Sequence, residues 1–226
     1  MKKILITAIL SIASLGAYAS DISQYSGPYV GLHIGYAQGD FKGDDTFSGI
    51  NISSYSYNLS KYLWGGLVGY NKVFDNHVLV GIEADYEQRN ADSTGPMTDV
   101  SLSNIGTVQT KIQNAYSLRV RFGKIFNDDK TLAYLTAGYG AVDINSNFAI
   151  TGLAAFSKSE WKDGYTAGFG FEHFVSEAIS IKTDYRYSQY GKMEASAMDP
   201  SSLVVSSELT KYENENSLRV GLMYHF

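Results

Sequence analysis

The last ten residues admit few folds. Leu218, Val220, Leu222, Tyr224 and Phe226 alternate there with Ser217, Arg219, Gly221, Met223 and His225. Successive side chains of a strand point to opposite faces. One face of this strand therefore carries five large apolar groups and ends on an aromatic carboxy terminus. A strand of that kind needs an apolar medium along one whole face.

Seven further stretches alternate in the same way. Val30, Leu32, Ile34 and Tyr36 oppose Gly31, His33, Gly35 and Ala37 in a strand over Tyr29–Ala37. Tyr62, Trp64, Val68 and Tyr70 mark a second strand, and Val80, Ile82, Ala84 and Tyr86 a third. Tyr116, Leu118, Val120 and Phe122 mark the fourth, and Leu135, Ala137, Tyr139 and Ala141 the fifth. Tyr165, Ala167, Phe169 and Phe171 mark the sixth, and Ile179, Ile181, Thr183, Tyr185 and Tyr187 the seventh. Short polar connections (Phe74–His77, Asn127–Lys130, Val175–Ala178) alternate with long ones over 40–60, 89–111, 143–160 and 192–213. The long ones lack periodicity and read as loops. This pattern predicts an all-β fold: an eight-stranded antiparallel transmembrane β-barrel with four long extracellular loops and short periplasmic turns.

Alternation alone fits a soluble barrel equally well. The polar face decides the orientation. It carries Glu83, Asp85, Glu87, Arg119, Arg121, Glu172, Lys182, Asp184, Arg186 and Arg219 at mid-strand positions. The lumen of an eight-stranded barrel is only wide enough for side chains to fill. It could not also hold Trp64, Phe122, Phe169, Phe171 and the tyrosines, so these belong in lipid. The charges then face inward as a network of five acids and five bases, because a buried charge is costly unless paired. Tyr62, Tyr70, Tyr86, Tyr187 and Tyr224 fall near strand ends, as interfacial anchors do.

Lys2-Lys3, an apolar run from Ile4 to Leu15 and Ala17-Tyr18-Ala19 predict a signal peptide over residues 1–19, with the barrel domain over 20–226. Its removal takes away two of the 18 basic residues, leaving 16 against 23 acidic ones, a net charge of about −7. Nucleic-acid binding, which uses a basic face, is not expected. With no cysteine, disulfides and thiol chemistry are excluded. There is no Gly-x-Ser-x-Gly elbow or His-Glu-x-x-His pair, and the histidines are only His33, His77, His173 and His225. A non-enzymatic chain is expected. A His33–His225 pair lacks further metal ligands, and Asp40, Asp44 and Asp45 read as a solvated acidic loop.

Ser26-Gly-Pro-Tyr-Val-Gly31, Gly65-Gly-Leu-Val-Gly-Tyr-Asn71, Val80-Gly-Ile-Glu-Ala-Asp85 and Leu118-Arg-Val-Arg-Phe-Gly123 carry a family resemblance. So do Tyr134-Leu-Thr-Ala-Gly138, Gly164-Tyr-Thr-Ala-Gly-Phe-Gly170 and Asp184-Tyr-Arg-Tyr187. Together they resemble the major surface proteins of the alphaproteobacterial outer membrane, grouped with haemin-binding and "porin family" barrels. The terminal strand (Leu218, Val220, Leu222, Tyr224, Phe226) resembles the assembly signal read by the barrel-assembly machinery. The leading expectation is a monomeric, structural surface barrel in contact with outer-membrane lipid, whose loops meet lipopolysaccharide, host molecules or antibody. The resemblance implies a haemin-binding surface protein as the alternative. A small-solute porin is a further alternative, which a filled lumen opposes. No cofactor is required; haemin, if bound, would be held through Tyr55 or Tyr57, with Lys61 as the nearest base.

Deleting Phe226 should impair membrane insertion more than export, because the signal peptide acts first. Fractionation showing normal insertion of the truncated chain would remove the assembly role from the terminal strand.

Overall fold

The computed structural model describes residues 24–47, 50–98, 104–126, 129–150, 156–198 and 204–226. Its strands are β1 (Gly27–Phe47), β2 (Ile50–Val73), β3 (Val78–Thr98), β4 (Asn104–Ile125), β5 (Thr131–Ile150), β6 (Phe156–Phe174), β7 (Ile179–Tyr190), β8 (Lys192–Met198) and β9 (Val204–His225). Each pairs antiparallel with its neighbour, and β1 pairs with β9, closing the sheet. β7 and β8 are two segments of one stave, since both pair with β9 on either side of Gly191. The result is an eight-stranded barrel. Closure leaves no edge within the bilayer, where no water could satisfy an open one.

The seam forms where the terminal strand meets both neighbours. Leu218 lies opposite Tyr36 on β1 and opposite Tyr185 on β7. The His225 amide donates to the Ala178 carbonyl (2.9 Å) and the Phe226 amide to that of Pro28 (3.1 Å). The periplasmic turns are tight. His77 (φ 61°) and Asp129 (φ 56°) sit in the left-handed region, which His and Asp tolerate better than most residues. Their side chains meet at 3.3 Å, tying two turns together.

Every other residue faces lipid. Leu32, Ile34, Val120, Phe122, Leu135 and Leu222 are all more than half exposed, a distribution that only a hydrocarbon surround accommodates. From Phe226 to Leu218 this belt is roughly 20 Å tall for strands tilted by about 40°. Its upper border is a ring of tyrosines. The hydroxyl of Tyr86 donates to Asn114 (2.7 Å) and that of Tyr187 to Asn214 (2.6 Å), while those of Tyr139 and Tyr185 reach Asp163 and Asn216. Each ring stays in lipid while its hydroxyl finds a polar partner one step outward, as at a membrane interface. Tyr70, Phe74, Tyr224 and Phe226 are exposed at the lower border. Ala137 and Ala167, opposite one another, leave a shallow groove of about 700 Å³ open to the membrane between Leu118, Tyr139, Tyr165 and Tyr187.

The long connections expected as loops are built as strands almost to their tips. β1 stays paired with β2 up to Phe47↔Ile50, and β3 with β4 up to Thr98↔Asn104. Periodicity could not reveal this. Above the membrane both faces of a ribbon meet water, so the apolar/polar alternation disappears while backbone pairing continues. Bulges at Arg89–Asn90, Gln113–Asn114 and Glu213 bend β3, β4 and β9 where the barrel leaves the membrane. Among the described residues, β2 pairs with β3 only from Leu63↔Arg89 downward, and β6 with β7 only from Gly164↔Tyr190 downward. Above that rim the sheet divides into two four-stranded ribbons, β8-β9-β1-β2 and β3-β4-β5-β6.

Val120→Arg, in the middle of the belt, should destabilise the barrel by about 2–4 kcal/mol, and Gln88→Arg at the rim by about 0–1 kcal/mol. Urea unfolding in lipid vesicles measures both; equal costs would contradict the placement of the belt.

Candidate functional site

The inward face holds a continuous ladder of charges. Each member alternates with a lipid-facing neighbour, so strand periodicity alone brings all of them into the lumen. At its periplasmic foot, Glu172 on β6 accepts from Arg121 (2.7 Å), from the Ser180 hydroxyl (2.6 Å) and from Nε2 of His225 (2.8 Å). Arg121 also donates to the Tyr29 hydroxyl (2.7 Å), which donates to Glu83 (2.8 Å). Its guanidinium lies 4.2 Å from the centre of the Tyr134 ring, adding a cation–π contact.

In the middle, Glu83 is held by Lys182 and Arg119. Asp85 accepts from Arg119 (2.7 Å), Arg186 (2.8 Å) and Ser117 (3.0 Å), and Asp184 lies 3.9 Å from Arg186. Higher still, Glu87 meets Arg219 (2.6 Å), Arg89 (2.6 Å), His33 (3.2 Å) and Arg186 (3.3 Å). Glu215 tops the ladder with Arg89 and Lys61, both at 2.8 Å. Inward glycines supply the room. A methyl group at Gly69 would strike the Tyr29 ring, and one at Gly170 the Tyr134 hydroxyl.

All ten charged residues expected in the lumen lie there, buried. Lys61, Arg89, Glu215, Tyr29 and His33 join them. Period-two reading could have extended β2, β3 and β9 by one inward step to reach the first three. They lie past the point where the outward face turns polar, so the apolar signal ends before they do. Tyr55 and Tyr57 belong to β2, where they pair in register with Gly43 and Phe41, and their side chains lie outside the described residues. Lys61, the base invoked beside them, is instead buried against Glu215.

The periplasmic mouth carries an apolar cork that the sequence did not announce. Tyr25, ahead of the first strand, is fully buried with Val73, Leu79, Ile125, Leu132, Tyr134 and Phe174. Its one hydroxyl proton is shared between the carbonyls of Lys130 (2.7 Å) and Glu172 (2.8 Å). Its ring meets Phe174 edge-on at 4.6 Å, and His225 stacks on Tyr29 at 5.3 Å. The signal peptide expected over 1–19 lies outside the described residues.

His225, Ser180 and Glu172 converge beneath this cork, and their types invite comparison with a nucleophilic triad. The geometry does not form that relay. A triad places the acid on one ring nitrogen and the serine on the other. Here Ser180 (3.1 Å) and Glu172 both meet Nε2, and Ser180 donates its proton directly to Glu172. His33 and His225 are not brought together. They lie opposite Gly221 and Tyr29, four residues apart on β1, or about 13 Å along the strand. Among the described residues no group of three His, Cys, Asp or Glu side chains is placed to hold a metal.

Between Asp85, Glu87, Arg89, Ser117, Arg186 and Tyr190 the lumen leaves a cavity of about 10 Å³, room for roughly one water. Removing one member of such a ladder strands its partners in a dry interior. Glu83→Ala leaves Lys182 and Arg119 short of charge and should cost about 3–5 kcal/mol in urea unfolding. A loss below about 1 kcal/mol would mean that water reaches these groups.

The outer-membrane protein β-barrel domain family model matches residues 5–226. Among curated proteins, the 31 kDa outer-membrane immunogenic protein of Brucella melitensis is 26% identical over the full length of both chains. The 22 kDa outer membrane protein of Rhizobium leguminosarum is 25% identical over 78% of this chain and 72% of its own. Among solved structures, the outer membrane protein OprG of Pseudomonas aeruginosa superposes with a TM-score of 0.58 at 13% identity, over 91% of this chain and 99% of that one, a likeness of fold. With its closed lipid-belted sheet, the chain belongs to the outer-membrane β-barrel family and is an outer-membrane protein related to alphaproteobacterial surface barrels.

Proposed function

We propose that the protein is a non-enzymatic, structural surface barrel whose extracellular ribbons meet lipopolysaccharide, host molecules or antibody. The sealed lumen carries this reading. The cork around Tyr25 and the ladder from Glu172 to Lys61 occupy the axis, so interaction is left to the two ribbons above the rim. The Brucella relative's designation as immunogenic fits such a surface role. A small-solute pore is the alternative that the packing opposes. Haemin binding rests on family resemblance, and Lys61, the base it would use, is committed to Glu215.

Replacing residues 91–111 by a short turn should leave a barrel that still migrates differently on a gel before and after boiling. Antibodies raised against intact cells should bind that variant less. Undiminished binding after the same truncation of all four hairpins would refute surface presentation. In planar bilayers, steady nanosiemens openings from purified monomer would reinstate the pore.

A further inference from the structure

Dividing the sheet above the rim leaves four strand edges with no ladder to a further strand among the described residues: β2 over 50–60, β3 over 90–98, β6 over 156–162, and β8; between β6 and the start of β8 the Gly191 amide alone reaches the Asp163 carbonyl (2.9 Å). An open edge is a template for any extended chain, and proteins usually blunt it with charge, proline, bulges or brevity. Three of these edges are blunted. β3 carries Asp92, Gly95 and Pro96, and proline has no amide to donate. β6 carries Lys158, Glu160, Lys162 and Asp163, and β8 has seven residues with Lys192 and Glu194 among them.

β2 differs. Past a bulge at Ile52, its register with β1 is regular from Ser53 to Tyr62. The run Ser53-Ser-Tyr-Ser-Tyr-Asn-Leu-Ser60 holds no charge, proline or glycine. Eight residues offer an edge of about 26 Å, longer than an average strand.

We propose that the free edge of β2 over Ser53–Ser60 is a docking site for an extended polypeptide segment, which adds to the β8-β9-β1-β2 ribbon as a fifth strand. The inference rests on the surface-presentation reading and names the mode of binding. Main-chain hydrogen bonds supply the affinity in such strand addition. An uncharged edge selects an uncharged strand rich in Ser, Thr and β-branched residues, because a charged one would lose hydration without finding an ion pair. A second copy in the same membrane fits less well. Its β2 would run in the same direction, from tip to periplasm, and could form only the weaker parallel ladder. A free segment can dock antiparallel.

The test uses the full barrel in nanodiscs and a phage-displayed library of linear twelve-residue peptides. Amides of successive strand residues point to opposite edges, so Ser53→Pro/Tyr55→Pro and Ser54→Pro/Ser56→Pro strike different sides of β2. One pair removes amides from the free edge; the other removes amides that face β1. The enriched peptides should be uncharged and alternating. They should bind the free-edge variant at least about tenfold more weakly while its barrel keeps heat-modifiable migration. A ¹³C-carbonyl peptide should show its labelled infrared band at a β-sheet position when bound. No enrichment over empty nanodiscs overturns the proposal. So does equal binding to the unmodified barrel and both variants, or a bound peptide without the β band. Equal binding would leave the surface reading intact and move the site to the ribbon tips. Loss of the unmodified barrel's reactivity with cell-raised antibodies would instead count against surface presentation.

Discussion

The exchange of backbone hydrogen bonds between β1 and β9 is the contact on which everything else depends. A sheet in hydrocarbon has no solvent to satisfy its outer strands, so it closes or does not insert. Closure at eight strands sets a radius at which side chains fill the interior. That radius dictates the rest. Lys182 and Arg186 on β7 can reach Glu83 and Asp85 on β3, and Arg219 on β9 can reach Glu87, because the opposing walls are one long side chain apart.

The ladder answers a problem that closure creates. Polar groups sent inward by strand periodicity are cut off from bulk water, and each must find a partner there. A buried ion pair adds little stability over a well-packed apolar pair, but a broken one is costly. Glu83 takes partners from β1, β4 and β7, so a slip of any of these strands by one residue would turn charges into lipid and leave others unmatched. In this way the ladder specifies register across the whole barrel. The cork at Tyr25 then closes the mouth with segments from both ends of the chain, since Tyr25 and His225 meet there.

A filled axis moves recognition outward. Within the bilayer the barrel presents lipid-facing side chains whose spacing is fixed by the sheet. Above the rim the constraint relaxes, bulges bend β3, β4 and β9, and the sheet divides. Open edges are tolerable there because water can satisfy them, and that same freedom makes an unblunted edge available to a partner.

Much of this was legible in the residues themselves. Alternation is a local property, so Leu218 to Phe226 and the seven similar stretches determined the lipid face, the inward charges and a closed membrane barrel. The ribbons were not legible, because 40–60 and 89–111 lost their alternation once both faces met water, although their backbones stayed paired. Nor was the wiring of the interior. Glu83 is 36 residues from Arg119 and 99 from Lys182, and Tyr25 is 147 from the Glu172 carbonyl it caps. Such partners are chosen by the stagger and radius of the closed sheet. No single strand encodes either one, so only the tertiary structure decided which acid met which base, that Lys61 turned inward to Glu215, and that Ser180 and Glu172 share one nitrogen of His225 instead of forming a relay.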